Sequence, residues 1–499
     1  MKLSGAARAL LVILVIALAV RIAIAFAMPN QVWPDEIFQS LEQAHRVVFG
    51  RGVLPWEFRD ATRSWLFPGA LAAIMKSVSF VSSSPTVYLG ACATVLSVLS
   101  LAPVWVAFRT AERPFGLRGA IIAAATCTLW YELVYFAPKA LGEVVAGNIL
   151  VIGVMLADRI RHTDRIAGAG PARSLVRGCA GLLALVAAMR MQLAPAAGIA
   201  FLVAVWRLPW RQRIDAAIVA ALVVLAVGML DWITWSYPFQ SFVENFRTNI
   251  IEGKSHHFGV APWTAYFAAY RDLWGVLGLV VLAIAAVGAV RVPLYAAIAA
   301  VIVITHVPIA HKEYRFLYPA LELVIVLVGV GLASLVARIE QVRTANLAAA
   351  GAIAIVLAMS LQLANRYDDP GIHFGFVPAN VKLRVDSLWR ERRGTLVGTL
   401  VLGEDPTVCG VALVGVHWSN TGGYAYLHRD IPLLVVKNRA TLEQLTPFAN
   451  AILGRPDLPD PLGPYVRGEC WNTACLFHRP GGCEPLPPAL DVARAGPDN

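Results

Sequence analysis

The chain has 499 residues, of which 58% are hydrophobic and 15% charged, and its mean hydropathy is +0.63. This excludes a soluble multidomain protein and frames the chain as a polytopic membrane protein. The formal charge of +10 gathers in short loops between apolar runs, so it reads as membrane topology and not as nucleic-acid binding.

The first apolar run, 8–28, follows Lys2 and Arg8 and carries Arg21 near its outer end. It predicts a membrane span. The competing reading is a signal peptide cleaved near Ala25-Phe26-Ala27. Either way, the loop that follows is predicted to be external. That loop, 29–84, is too long and too rich in Trp and charge for a plain connector. Within it Ile37, Phe38, Leu41, Ala44, Val47 and Val48 recur at helical spacing, and 66–80 forms a second apolar piece. Two amphipathic helices on the membrane surface are expected.

Further apolar runs lie at about 85–108, 119–137, 141–157, 175–188, 193–206, 214–232, 273–290, 294–310, 317–337 and 345–364. With the first run they predict about eleven spans, the 175–188 and 193–206 runs being short. Alternation then puts Arg109, Arg113, Arg118, Arg159, Arg161, Arg165, Arg173, Arg177, Arg207, Arg211, Arg213, Arg291, Arg338 and Arg343 on the cytosolic side. The opposite side receives Asp35, the 233–271 loop, His311 to Phe316 and the carboxyl-terminal region. From about 366 the character changes to Pro-rich sequence with short β-type runs, 396–402 and 431–436. This predicts an all-α polytopic domain over 1–365 and a small external α+β domain over 366–499, with a loose tail after about 485. Cys409, Cys470, Cys475 and Cys483 fall in that domain, where an oxidising face favours disulfides. A zinc site with His478 does not match common ligand spacings. Cys92, Cys127 and Cys179 read as packing residues.

Two polar stretches stand out. Asp35 and Glu36 follow Pro34 and open a helical pattern. Carboxylates in a first helical turn are ordinary start chemistry, but at a membrane surface beneath a Trp-rich loop they also suit a general base and its neighbour. The second stretch is His311-Lys312-Glu313-Tyr314-Arg315 at the outer end of a span. An interfacial anchor belt is the bland reading. The functional one is a lipid-phosphate site, with Arg as a fork, Lys as a mobile point charge and Glu holding either. Lys139 with Glu143, and Arg190 with Gln192, are weaker candidates. His256 and His257 read as solvated, and no metal is expected.

These stretches carry a resemblance. Pro34-Asp35-Glu36-Ile37-Phe38-Gln39-Ser40, with Trp56-Glu57-Phe58 and Arg63-Ser64, resembles the first lumenal loop of the polyprenyl- or dolichyl-phosphate-mannose-dependent mannosyltransferases. His311-Lys312-Glu313-Tyr314-Arg315-Phe316-Leu317-Tyr318-Pro319 resembles that family's second signature, and the stretch His417 to His428 is loosely similar to its lumenal tail. The branch most similar adds the third mannose to GPI anchors. The chain departs at Trp33, where the family usually has His, and at Pro55, which displaces a Thr.

The resemblance implies a GT-C membrane glycosyltransferase with no cofactor and no required metal. It implies transfer of mannose from a polyprenyl-phosphate-mannose donor to a glycolipid or lipid-linked acceptor, with inversion to an α linkage. Asp35 would be the base and Glu36 its support. His311, Lys312 and Arg315 would hold the donor phosphate, with Glu313, Gln39, Trp56, Glu57 and Arg63 supporting. The active site would face the periplasm of a bacterial inner membrane or the ER lumen, with composition leaning towards bacteria. Rival readings are the same architecture moving arabinose, glucose or galactose, a lipid-linked sugar transporter, and a non-catalytic scaffold. A transporter predicts ionisable groups at mid-span, whereas the notable charges here fall at span ends.

Overall fold

The computed structural model describes residues 4–163, 171–367 and 388–487. Arg165, the expected boundary near 366 and most of the expected tail after 485 lie at or beyond the edges of these segments. The chain forms two compact units, Met1–Ile24 with Val95–Arg384, and Ala25–Thr94 with Val385–Asn499.

The first unit is helical. Every run expected to cross is found as helix, among them Gly5–Ala27, Gly142–Arg161, Arg173–Met189, Ala194–Val205, Pro293–His306 and Val342–Tyr367. Among the described residues, six helices are long and apolar enough to span a bilayer: Gly5–Ala27, Pro85–Leu129, Trp210–Thr234, Ala265–Arg291, Tyr314–Val336 and Val342–Arg366. The chain is an integral membrane protein. One run differs in detail. The break expected near 109–118 is a kink at Gly116 (φ 65°) inside Ala102–Leu129, while the chain breaks earlier, after Leu99. A positive φ suits the residue without a Cβ.

Helix Tyr318–Val336 is buried almost all round, as expected of a helix apolar on every face. Small residues let its neighbour close in. A Cβ on Gly288 would lie 2.0 Å from the Leu327 carbonyl oxygen, and one on Gly331 2.2 Å from that of Ile284. Such contacts replace the hydrophobic drive that lipid removes. Arg21, fully buried in its apolar helix, donates to Ser100 Oγ (3.1 Å) and to the carbonyls of Ala17 (3.1 Å) and Cys127 (3.2 Å). Its buried donors are thus matched by acceptors.

In the second unit the expected first-loop helices are present. A wide π turn, Ile37–Leu41, runs into helix Glu42–Phe49, which stops at Gly50. The 66–80 piece is helix Leu66–Ser79. The carboxyl-terminal part holds a five-stranded sheet: β1 (Val411–Val414), β2 (Leu433–Val436), β3 (Ala451–Gly454), β4 (Val466–Cys470) and β5 (Cys475–His478), in the order β2-β1-β3-β5-β4. β1 pairs parallel with β2 and β3, and β5 pairs antiparallel with β3 and β4. β1 reads Val-Ala-Leu-Val, the continuous apolar run of a central parallel strand.

The expected strand at 396–402 is overturned. It is helix Arg393–Glu404, lying on the sheet. A Cβ on Gly398 would stand 2.8 Å from Leu453 and 3.2 Å from Trp471, so this close seat decides over the β propensity of Val and Thr. The 431–436 run is β2 with its lead-in. Cys409 pairs with Cys483 and Cys470 with Cys475, and Cys92, Cys127 and Cys179 are free and buried.

Candidate functional site

The 311–317 strip joins helix Pro293–His306 to helix Tyr318–Val336. Pro319, near the start of the second helix, fixes where helix can begin. Glu313 is extended and Tyr314–Leu317 forms a 3-10 turn, which turns successive side chains in different directions. Arg315, 3% exposed, takes two carboxylates. Its Nη1 donates to Glu143 Oε1 at 2.6 Å, and its Nε and Nη2 donate to Glu313 at 2.7 and 3.0 Å. Glu143 opens helix Gly142–Arg161, and its other oxygen lies 2.8 Å from Arg190 Nη2. Arg190 is where helix Arg173–Met189 ends. One buried carboxylate therefore joins two guanidiniums from separate elements. Uncompensated, either charge would be very costly to bury.

His311 places Nε2 3.1 Å from Glu313 and Nδ1 3.0 Å from the Gly259 carbonyl. Burial opposes protonation of His311, but the Glu313 carboxylate outweighs it and raises the imidazole above its ordinary range. Burial likewise works to raise Glu313, yet Arg315 and His311 hold it well below the usual carboxylate range. Lys312, 1% exposed, donates to the Ala261 carbonyl (3.2 Å) and to that of Ile309, and burial lowers its ammonium. Tyr314 donates to Glu132, which also accepts from Trp130 Nε1 at 2.7 Å. Lys139 is buried with Nζ 5.3 Å over the Tyr135 ring. The strip is thus an ion network and not a belt of separate anchors, and its chemistry suits an anionic oxygen cluster.

In the second unit Asp35 is half-buried at the head of the helix that continues through Ile37–Leu41. Gln39 follows it by about one wide turn, and Phe38, three positions on, is buried. Gln39 bridges two partners, donating to Glu57 Oε1 at 2.8 Å and accepting from Arg63 Nε at 3.1 Å. Burial raises the Glu57 carboxyl, the Asp35 charge raises it further, and Arg63 and Gln39 pull the other way. Glu36 is 8% exposed and buried beside the Tyr426 phenol, which burial and then the Glu36 charge hold above its usual range. Trp56 opens the short helix Trp56–Arg59 and is half-buried. Of the expected residues, Gln39, Glu57 and Arg63 thus gather with Asp35, Glu36 turns inward, and His311, Lys312, Glu313 and Arg315 form the other unit's cluster.

Glu143 and Arg190 belong to that cluster more firmly than the sequence implies. The signal for Arg190 was available: an arginine on the side where the charge rule disfavours one needs a partner.

The Alg9-like mannosyltransferase family model matches residues 12–373. GPI mannosyltransferase 3 of Yarrowia lipolytica is 25% identical over 319 residues, covering 62% of this chain and 59% of that relative. The Drosophila melanogaster protein of the same name is 38% identical over 72 residues, 14% and 13% of the two chains. The chain therefore spans less than two thirds of the curated relatives it matches. Among solved structures, ArnT from Cupriavidus metallidurans bound to undecaprenyl phosphate superposes with a TM-score of 0.58 at 11% identity, over 95% of this chain and 99% of that one. That likeness speaks for the fold, the polytopic helical GT-C type with a small carboxyl-terminal sheet domain. With the family model spanning well over half its length, the chain belongs to the Alg9-like mannosyltransferase family.

Proposed function

We propose that the protein transfers mannose from polyprenyl-phosphate mannose to a glycolipid or lipid-linked glycan, with inversion, on the periplasmic or lumenal face of its membrane. The observation that carries this reading is Arg315, buried between Glu143 and Glu313 with Arg190 on the same Glu143 carboxylate. A buried, oriented guanidinium pair with Lys312 on the same strip is the donor set a phosphate calls for. The likeness to a protein bound to undecaprenyl phosphate supports the same ligand class.

In this reading the Asp35 carboxylate accepts the proton of the acceptor hydroxyl as its oxygen attacks the anomeric carbon. The bond from that carbon to the phosphate oxygen breaks, and its electron pair leaves with the lipid phosphate. The phosphodiester carries one negative charge and the released monoester about two at neutral pH. Arg315, Lys312 and Arg190 stabilise the charge that grows, which is where fixed cations accelerate a reaction. Gln39, Glu57 and Arg63 orient Asp35 and set its field, and Glu36 braces the helix from its buried side.

The test is incubation of the purified chain with labelled polyprenyl-phosphate mannose and a membrane lipid extract, followed by identification of the labelled lipid. Asp35→Asn is expected to cut turnover by ~10²–10⁴. Transfer from a polyprenyl-phosphate arabinose or glucose donor but not from the mannose donor would overturn the donor assignment.

A further inference from the structure

The turn that carries Asp35 has a second neighbour besides Glu57. Phe38 meets the Trp418 ring edge-on, with centroids 4.7 Å apart. The His417 ring leans on Trp418 at 5.5 Å and 38°. Phe38 is buried, Trp418 half-buried and His417 exposed, so the pair forms a step from the core outward.

This step sits where ligands collect in sheets of this kind. It follows β1, at the carboxyl end of a parallel strand. The chain turns there at Gly415, φ 68°, where a Cβ would crowd the Arg455 side chain at 3.1 Å. The step is also held firmly. Ser419 gives its carbonyl to Gln31 Nε2 at 3.0 Å, Asn420 gives its own to Thr395 Oγ1 at 2.6 Å, and Thr421 Oγ1 donates to the Trp418 carbonyl at 2.7 Å. His417 Nδ1 is paired with Ser419 Oγ at 2.8 Å. Beyond it, Glu42 accepts the backbone N–H groups of Tyr424 (3.0 Å) and Ala425 (2.7 Å). The segment is therefore pinned on both sides of Asp35, at Gln31 and at Glu42.

We infer that His417 and Trp418 form the subsite for the terminal sugar of the acceptor. The inference rests on the glycosyltransferase reading above. An indole half out of the core offers a flat apolar face for the C–H face of a hexopyranose. The imidazole beside it offers a hydrogen-bonding edge for ring hydroxyls, the apolar-plus-polar mix of sugar-sized sites. Resting on Phe38, three residues on from Asp35, the platform would hold an acceptor sugar beside the turn that carries Asp35.

The experiment uses the full chain with polyprenyl-phosphate mannose as donor and octyl α-D-mannoside as acceptor probe. Trp418→Ala is expected to raise the acceptor KM about tenfold, the scale of one lost stacking contact, with the donor KM unmoved. Trp418→Phe should recover most of the loss, and His417→Ala, on an exposed side chain, should raise the acceptor KM alone. An unchanged acceptor KM in Trp418→Ala and His417→Ala, or a donor KM that rises with it, overturns the assignment. Saturation-transfer NMR between the mannoside and the protein separates this from failure of the functional reading. Contact in the wild type that is lost in Trp418→Ala supports the subsite even where no transfer is seen, and absence of contact overturns it.

Discussion

The Arg315 cluster and the Asp35 face hold charge in opposite ways. Around Arg315, four side chains from three segments interlock through two carboxylates, and the central guanidinium is 3% exposed. Around Asp35, one helix supplies the acid, and the hydrogen-bonded group Gln39, Glu57 and Arg63 lies beside it at a half-open surface. The first arrangement is part of the architecture, because removing one member leaves a buried charge uncompensated. The second leaves its carboxylate half-buried beside side chains that are held by their own hydrogen bonds. On the proposed function, a fixed cation set would suit a charge that grows during transfer, and a half-open acid a proton that must enter and leave.

The contrast breaks if the two sites respond alike to mutation. Glu143→Ala should lower stability by about 3–5 kcal/mol, seen as a large drop in melting temperature in detergent, while Asp35→Asn should lose rate and melt as the wild type does. Equal melting temperatures for all three proteins would remove the distinction. Arg190→Ala should raise the donor KM about 10- to 100-fold, the worth of a charge-assisted pair. Combined with Arg315→Ala, its effect should fall short of the sum, because both act through Glu143. Strict additivity would separate Arg190 from the phosphate site.

The smallest effect sharpens the picture of the second unit. Burial raises Glu42 to about 7 from an ordinary 4.5, against the three backbone N–H groups it accepts. Its contribution to stability is therefore complete below about 4.5 and lost as pH rises through about 7. Burial depresses His45 to about 4 from an ordinary 6.5, so its contribution is present above 6.5 and lost as pH falls through 4. Between these limits the two slopes oppose each other. His45→Asn should leave stability that falls from pH 4.5 to 7, and Glu42→Gln stability that rises from pH 4 to 6.5, each by at most about 1.4 kcal/mol per pH unit. Melting temperature against pH reads the sign, and two variants with the same sign would refute the assignment.

The spans were legible because a bilayer demands long apolar runs, and each expected run is a helix. The first-loop helices were legible from spacing alone. Helix Arg393–Glu404 was not, since Gly398 owes its place to Leu453 and Trp471, side chains far along the chain. Strands β1, β3, β4 and β5, of four or five residues each, are too short to print a period. The His311 to Arg315 strip announced its charges but not their partner: Glu143 is 172 residues away. Likewise nothing local joins Phe38 to Trp418.

Helix Tyr318–Val336 begins directly after the strip that bears Arg315, and its glycine contacts leave no slack along its sides. A rod seated that tightly has little room to tilt. If the strip holds the lipid phosphate as proposed, adjustment would fall to the lipid or to the segments that border the strip, such as 259–261, whose carbonyls grip His311 and Lys312. Attempts to broaden substrate range would therefore do better to redesign that border than to loosen the rod.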